Sequence, residues 1–183
     1  MLSIFSVNLL LTLESWYYIA IAVTWCTAWQ FLLDAIIAIT INKLPRGWFG
    51  VDNPFYRVTD AERDLYKKLK VRRWKGLVWE LGGLGGFSKR ELREPGSPEY
   101  IERFIVECNK GVLTHRLSYP VGFLVMLTLP SPYRLSIALP VALVNSFLNI
   151  LPTLVLRYNT PMLRSALERQ RGKRNKNKEN RSF

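Results

Sequence analysis

Charge and hydrophobicity are segregated along this chain, and this segregation limits its possible folds more than any other feature. Residues 1–42 contain no Lys or Arg. Sixteen of the 26 basic residues lie in 43–116 and nine in 157–183, whereas the apolar segment 117–156 has a single charged residue, Arg134. A helix of about 20 apolar residues crosses the hydrocarbon core of a bilayer. The alternation of apolar and basic blocks therefore predicts an integral membrane protein.

Three apolar segments predict three membrane-spanning helices. The first covers 16–41 and starts with three aromatic residues of the kind found at the headgroup level. The other two, 117–130 and 135–156, predict a helical hairpin, whose shorter first arm is long enough if its helix begins before His115. The apolar segment 2–13 is too short to cross as a helix, lacks the features of a cleaved signal peptide and is either embedded or interfacial.

The predicted class is all-α: an integral membrane protein with about three transmembrane helices and a cytoplasmic helical basic region. Lys and Arg concentrate in cytoplasmic loops, which predicts a multi-pass protein of the cell membrane with its basic loop and C-terminal tail inside. This orientation accounts for the charge, so nucleic acid is not an expected partner. The composition of 169–181 predicts a disordered tail that contacts anionic lipid. The predicted segments are 1–42 (apolar segment and first helix), 43–116 (basic region), 117–156 (hairpin) and 157–183 (basic tail).

Two helix starts are predicted inside the basic region. Thr59 is a suitable N-cap ahead of Asp60 and Glu62, whose acidic side chains favour the first turn. Ser97 is a second N-cap, followed by a proline at the first helical position. The helix that follows has an apolar stripe at helical spacing. The stripe consists of Ile101, Phe104, Ile105, Cys108, Val112 and His115.

His115 is the only histidine of the chain. With Cys26 and Cys108 as the only cysteines, no metal site and no disulfide framework are expected, and two free thiols are predicted. His115 is either a packed residue at the membrane entrance or a general base. Glu107 precedes it by eight residues, about 12 Å along a straight helix. A direct acid–base pair between the two within one helix is therefore not expected.

Polar residues at the predicted membrane boundary are candidates for function. Asp34, near the cytoplasmic end of the first span, is either an interfacial carboxylate or a functional group, and it is expected to reach the interface or meet an arginine. Asn149 needs a partner or a substrate at its depth. Residues 157–159 (Arg-Tyr-Asn) either anchor the last helix at the interface or form a rim of hydrogen-bond donors around a headgroup.

The segment 66–75 alternates basic with apolar or aromatic residues. It is either a polybasic surface attracted to anionic lipid or a pocket for the phosphates of a soluble donor or of lipid headgroups. The glycine-rich segment 82–86 lacks the spacing of a phosphate-binding loop, so a flexible turn or an interfacial loop is predicted there.

The chain from Leu44 to Leu167 contains an ordered set of motifs. They are Leu44-Pro45, Trp48-Phe49, Val71-Arg72-Arg73-Trp74-Lys75, Glu99-Tyr100-Ile101-Glu102, Glu107, Lys110, Leu113, His115, Asn149, Pro152 and Arg157-Tyr158-Asn159-x-Pro161-x-Leu163. This set resembles the small membrane acyltransferases that acylate glycosyl-4,4'-diaponeurosporenoate, the last step of staphyloxanthin-type carotenoid synthesis. The sequence departs from that family at Val112, where an acidic residue is expected, at Arg116 in place of an aromatic residue, and in its longer N-terminal segment.

The resemblance implies transfer of a fatty acyl group to a hydroxyl of a membrane glycolipid, such as a glycosyl carotenoid. The acyl donor implied is acyl-CoA as a co-substrate, with no cofactor and no metal. The implied catalytic residues are His115 and Glu107, and histidine is the usual base for a hydroxyl proton near neutral pH. The implied substrate-binding residues are Arg72, Arg73, Trp74, Lys75, Lys110, Asn149, Arg157, Tyr158 and Asn159.

Two other functions stay open at this point. The first is an acyltransferase for another glycolipid or a lysolipid, which shares the fold and changes the acceptor. The second is a non-enzymatic membrane adaptor whose basic loop binds anionic lipid or a partner. Acylation of a lipid extract by the purified protein separates the enzymes from the adaptor.

Overall fold

The computed structural model describes the backbone of residues 2–78 and 94–180, and the side chains of 15–78, 94–177 and 179–180. The glycine-rich segment 82–86 lies outside these ranges. The described residues form helices and connecting turns without a β-strand, so the all-α prediction is confirmed. The α-helices are α1 (Leu2–Lys43), α2 (Asp60–Lys68), α3 (Val71–Trp74), α4 (Pro98–Gly122), α5 (Ser131–Tyr133) and α6 (Leu139–Glu179).

Short 3-10 and π segments join these helices. The 3-10 segments are Arg46–Phe49, Pro54–Tyr56, Lys75–Leu77 and Phe123–Thr128, and Arg134–Ala138 is a π-helical turn ahead of α6. The apolar segment 2–13 belongs to the same continuous helix as the first predicted span, because α1 runs without a break from Leu2.

Two stretches of helix within the described ranges are long and apolar enough to cross a membrane, namely Ser15–Lys43 and Ser131–Asn177. They contain the first and third predicted spans. The remaining predicted span, 117–130, is not among them, because α4 ends at Gly122 and a 3-10 segment follows. As predicted, α4 does begin well before His115 and continues through it.

The chain divides into two compact units. Unit 1 consists of Met1–Ile37 and Leu117–Asn149. Its core contains small and medium side chains on α1, the 3-10 segment Phe123–Thr128, the π-helical turn and the start of α6: Cys26, Val125, Ile137, Ala138 and Ala142. Many large apolar side chains of α1, such as Ile21, Trp25, Phe31 and Ile36, are exposed, so the helix surface is far more apolar than water favours.

Unit 2 consists of Ala38–Arg116 and Ile150–Phe183. Both predicted helix starts are confirmed in it. Thr59 and Glu62 form a reciprocal capping box at α2, and the Ser97 hydroxyl accepts the Tyr100 N–H at 3.1 Å at the start of α4. The predicted apolar stripe of α4 is buried from Ile101 to Val112, while His115 at its end is half-buried.

The prediction of a disordered tail is wrong for the part of the tail that the structure describes, because α6 continues to Glu179. Acidic residues at the start of α4 hold it. Arg171 Nη2 lies 2.7 Å from Glu102 Oε2, and Arg174 pairs with Glu99. The Gln170 side chain also donates to the Pro95 carbonyl at 3.0 Å. These partners lie about 70 residues away in sequence, so the composition of the tail gave no sign of them.

Candidate functional site

A buried ion pair lies at the centre of unit 2. Arg157 Nε donates to Glu62 Oε1 at 2.8 Å and Arg157 Nη2 donates to Glu62 Oε2 at 2.6 Å, so the ion pair is bidentate. Arg157 Nη2 also donates to the Arg57 carbonyl at 3.1 Å. The Arg157 side chain is only 5% exposed and that of Glu62 27%. The rest of the Arg157 guanidinium, Nη1, is buried and has no partner among the described residues.

Local sequence places Glu62 in position for this pair. The capping box at the start of α2 fixes its carboxylate, because the Thr59 N–H donates to Glu62 Oε2 at 3.2 Å. Tyr66 follows one helical turn later, and its hydroxyl donates to Glu62 Oε1 at 3.0 Å. Both carboxylate oxygens therefore accept two hydrogen bonds each, and no lone-pair direction is left for a substrate proton.

The pKa of the Glu62 carboxyl reflects these contacts. Burial alone would raise this pKa, but the hydrogen bonds from Arg157 and the Thr59 backbone hold it below its ordinary value. Burial also raises the pKa of Tyr66, and the negative charge of Glu62 adds to that effect. Glu62 is therefore ionised at neutral pH and is a poor general base, so its role is to neutralise and orient Arg157.

Beside this pair, the basic segment packs against α6. Lys75 Nζ donates to Asn159 Oδ1 at 3.0 Å and lies 5.2 Å from the centre of the Tyr158 ring. Trp74 packs with Tyr158 on a cluster that includes Val71. We call Lys75, Tyr158 and Asn159 the lysine cluster.

The turn before α3 explains why the basic segment packs against α6. Lys70 has a left-handed backbone (φ 51°), and the Trp74 indole N–H donates to the Leu69 carbonyl at 3.0 Å. The turn directs Trp74 and Lys75 towards α6, while Arg72 and Arg73 remain exposed. The structure thus brings the predicted residues Trp74 and Lys75 together with Tyr158 and Asn159.

The predicted residues of α4 lie on two different parts of that helix. Lys110 Nζ is 3.1 Å from Glu107 Oε1, and both side chains are largely buried, at 11% and 20% exposure. His115 lies eight residues beyond Glu107 in one continuous helix, which corresponds to about 12 Å. Next to His115, the Arg116 guanidinium lies 5.6 Å from the centre of the Phe55 ring, so a cation covers an aromatic face there.

Asn149 belongs to unit 1, where it takes part in a chain of amide side chains. Gln30 Nε2 donates to the Gly122 carbonyl at 2.7 Å, and Asn145 Nδ2 donates to Gln30 Oε1 at 2.9 Å. Asn149 Nδ2 contacts Asn145 and reaches Asp34 Oδ2 at 3.5 Å. We call Gln30, Asn145 and Asn149, together with Asp34, the amide cluster.

The amide cluster changes the interpretation of Asp34. Its hydrogen-bond partner within the described ranges is an amide rather than the arginine that the sequence suggested. The other carboxylate oxygen, Oδ1, is buried and has no partner there. Asn149 has the partner that its depth requires, so its side chain is satisfied without a substrate.

Sequence reasoning missed four residues of these clusters: Glu62 as an arginine partner, Tyr66, Gln30 and Asn145. Glu62 was recognised only as a capping residue, although the Glu-x-x-x-Tyr spacing also places Tyr66 beside it. Gln30 and Asn145 are amides inside apolar segments, which is itself a signal, because a polar side chain at membrane depth requires a partner. No group of His, Cys, Asp and Glu that could hold a metal occurs in the part of the chain described here.

The fold and these clusters define an all-helical protein with two helices apolar enough to cross a membrane and a cationic region packed on the last of them. The model of the glycosyl-4,4'-diaponeurosporenoate acyltransferase family matches residues 45–169. The chain therefore belongs to that family, which is an acyltransferase family of carotenoid glycolipid modification, and the resemblance noted in the sequence is confirmed. No curated protein and no solved structure matches the chain significantly.

Proposed function

We propose that this protein transfers a fatty acyl group from acyl-CoA to a hydroxyl of a membrane glycolipid, such as the sugar of a glycosyl carotenoid. The observation that carries the proposal is the family match, because its range, residues 45–169, includes His115, the lysine cluster and the Glu62–Arg157 pair. The acyl donor and the acceptor are the parts of this proposal that go beyond membership of the family.

The proposed setting is the cell membrane, with three spans and the basic loop and tail on the cytoplasmic side. The exposed apolar side chains of α1 support it, since lipid solvates such a surface better than water does. The absence of Lys and Arg from residues 1–42 and their abundance in 43–116 support the orientation. The third span would begin within α4 and include 117–130.

His115 is the proposed general base. Its imidazole would take the proton of a sugar hydroxyl while the hydroxyl oxygen attacks the thioester carbonyl carbon. The carbon–sulfur bond then breaks, coenzyme A leaves as a thiolate, and the imidazolium returns the proton to that sulfur. The half-buried position of His115 near the end of the apolar stripe supports this role, because histidine is the usual general base for a hydroxyl proton and this imidazole lies beside apolar side chains rather than fully in water.

The remaining site residues have proposed roles in binding. Arg72 and Arg73 are exposed and free to approach the phosphates of the donor, while Lys75 is held by Asn159 at the edge of the same surface. Glu107 orients Lys110 as a proposed donor to substrate, and its distance of about 12 Å from His115 along the helix leaves it without a direct role towards that imidazole. Asn149 remains a predicted substrate-binding residue by resemblance alone, because its amide in unit 1 already bonds to Asn145 and Asp34.

Acyl transfer by the purified protein tests the proposal. The protein in detergent micelles is incubated with radiolabelled acyl-CoA and a glycosyl carotenoid, and acylated product is separated by chromatography. His115→Ala should reduce the rate at least about a hundredfold, since general bases contribute about 10²–10⁴-fold. Arg63→Ala is the matched control, because Arg63 is an exposed cation of the same unit outside the basic segment 66–75, and its rate should stay unchanged.

Three other outcomes of this assay would contradict or change the proposal. Full activity of the His115→Ala protein at normal expression would remove histidine from the mechanism. Product from a lysolipid or another glycolipid, and none from the glycosyl carotenoid, would change the acceptor. No product from any donor would favour the adaptor function, for which the exposed Arg72 and Arg73 offer a surface for anionic lipid.

A further inference from the structure

Arg164 on α6 has buried donors that no acceptor satisfies. Its Nε and Nη2 atoms are both inaccessible to solvent, and neither has a hydrogen-bond partner in the described ranges. A buried donor without a partner loses its hydration and gains nothing in return, and the loss is larger for a charged group. Such an arrangement lowers the stability of the unliganded protein, and an anionic acceptor that filled it would remove this cost.

A second guanidinium on the same face of α6 also has a buried donor without a hydrogen-bond partner in the described ranges. Arg157 precedes Arg164 by seven residues, so the two lie about 20° apart around the helix and about 10 Å apart along it. Arg157 is almost completely buried, and its Nη1 has no partner in the part of the chain described. Glu62 occupies only the Nε and Nη2 side of that group.

Arg57 adds a third cation at this place. Its backbone carbonyl accepts the Arg157 Nη2 hydrogen bond, so the residue lies against Arg157. The charge of its own guanidinium acts on Arg164, as do the charges of Asp52 and Glu168. Both of these acidic residues are exposed, and neither accepts a hydrogen bond from the buried nitrogens of Arg164. The two carboxylates lower the positive electrostatic potential around Arg164, but its buried donors stay without an acceptor.

We propose that Arg164 and Arg157 Nη1, with Arg57 beside them, bind a phosphate group. Guanidinium groups present forked N–H donors that match phosphate oxygens, and a phosphate can accept from two such groups at once. The phosphate belongs either to a soluble donor such as acyl-CoA or to an anionic lipid headgroup. In the first case the inference rests on the proposed function and names the part of the protein that recognises the donor.

Ligand-dependent stability of two variants tests this site. Arg164→Gln removes the proposed contact, and Arg63→Gln removes a charge from an exposed position of the same unit, outside the basic tail and the segment 66–75. The thermal midpoint of the full chain is measured with coenzyme A in neutral detergent micelles, and separately in nanodiscs of phosphatidylcholine with or without phosphatidylglycerol. A ligand that binds the folded state raises the midpoint by mass action.

The site requires a phosphate-dependent rise for the wild type in at least one of the two arms. Arg164→Gln should weaken the binding of that ligand at least about tenfold, and Arg63→Gln should leave the binding unchanged. Without ligand, Arg164→Gln should be as stable as the wild type or more so, since it removes an unsatisfied buried charge. An arginine with a purely structural role would give the opposite result.

The same experiment separates the two sources and the two proposals. A rise with coenzyme A identifies the donor, and Arg164→Gln should then raise the KM for acyl-CoA at least about tenfold with little change in kcat. A rise with phosphatidylglycerol alone identifies a lipid headgroup. A phosphate response without acyl transfer leaves this site standing and defeats the proposed function. The inference is overturned if the wild type responds in neither arm or if both variants respond like the wild type.

Discussion

The two units of this chain differ in the kind of polar side chain that they bury. Unit 1 uses mainly neutral groups, since in its amide cluster Gln30, Asn145 and Asn149 bond to one another and only Asp34 adds an ionisable group. Unit 2 uses charges, with the Glu62–Arg157 pair almost enclosed and Lys110 held by Glu107. Unit 1 contains the segment without Lys or Arg, whereas unit 2 contains most of the basic residues.

This difference follows from the cost of moving each group out of water. An amide loses a few kcal/mol if it is buried alone and regains most of this by bonding to another amide. An ion loses far more and requires a fixed counter-ion with several hydrogen bonds. Unit 2 supplies these for Glu62, whose four contacts saturate its carboxylate, but not for every guanidinium. The amide cluster is therefore expected to be the more tolerant of the two regions.

The largest effect should come from breaking the buried pair in unit 2. Glu62→Ala leaves the Arg157 charge enclosed without its counter-ion and removes the capping box of α2 as well. Breaking a buried ion pair costs about 3–5 kcal/mol, and the partial exposure of Glu62 places the expected loss near the lower figure, about 3 kcal/mol. Unfolding of the protein in detergent micelles, followed by circular dichroism, measures it.

Arg63→Ala is the control for this change, because the Arg63–Asp60 pair is exposed on the same helix. Such surface pairs contribute about 0–1 kcal/mol. If Glu62→Ala destabilised the protein no more than Arg63→Ala, the contrast between buried charge in unit 2 and buried amides in unit 1 would fail.

Crowding the amide cluster should reduce the stability of the protein less than Glu62→Ala does. A Cβ at Gly122 would lie 3.0 Å from Gln30 Oε1 and 3.1 Å from Asn145 Nδ2, closer than such contacts normally are. Gly122→Ala should therefore cost about 1–2 kcal/mol, since both side chains must shift and weaken their hydrogen bond. Thermal midpoints of the two proteins give the measurement.

The matched control here is Gly76→Ala, where an added Cβ meets nothing within 4 Å. A double change, Gly122→Ala with Gln30→Ala, should recover part of the loss because it relieves the crowding. Equal midpoints for Gly122→Ala and the wild type would show that the amide cluster is looser than its distances indicate.

Acid should reduce the stability that the buried charge of Glu62 gives to unit 2. The pKa of Glu62 is lower in the folded protein than its ordinary value, so the stability it contributes is fully present above its unfolded pKa, near 4.5. That contribution is lost as the pH falls through the lower folded pKa. The stability difference between wild type and Glu62→Gln should shrink over this acidic range and stay constant above it. A difference that stays constant on acidification would contradict ionisation of Glu62 as its source.

The smallest effect is expected at the end of α6, where unit 2 uses exposed charges. Replacing Glu99 and Glu102 by Gln removes the partners of Arg174 and Arg171, and exposed ion pairs contribute little because water screens them. The global midpoint should hardly move, while amide hydrogen exchange in 170–179 should become faster. Unchanged exchange there would mean that α6 persists without these contacts.

The sequence by itself determined the features that depend on neighbours within a few residues. The capping residues Thr59 and Ser97, the apolar stripe of α4, the absence of strands and the apolar character of α1 and α6 all follow from spacing along one segment. The family resemblance was likewise readable from motifs in order, and it is confirmed by the match over 45–169.

Only the tertiary structure decided which distant side chains meet. Glu62 and Arg157 are 95 residues apart, Lys75 and Asn159 are 84 apart, and Gln30 and Asn145 are 115 apart. The helix of the basic tail pairs with acidic residues at the start of α4, and the composition of the tail does not reveal these partners. Local rules fix where a helix begins and which face is apolar. Side-chain partners depend on how those faces pack, and that is a property of the whole chain.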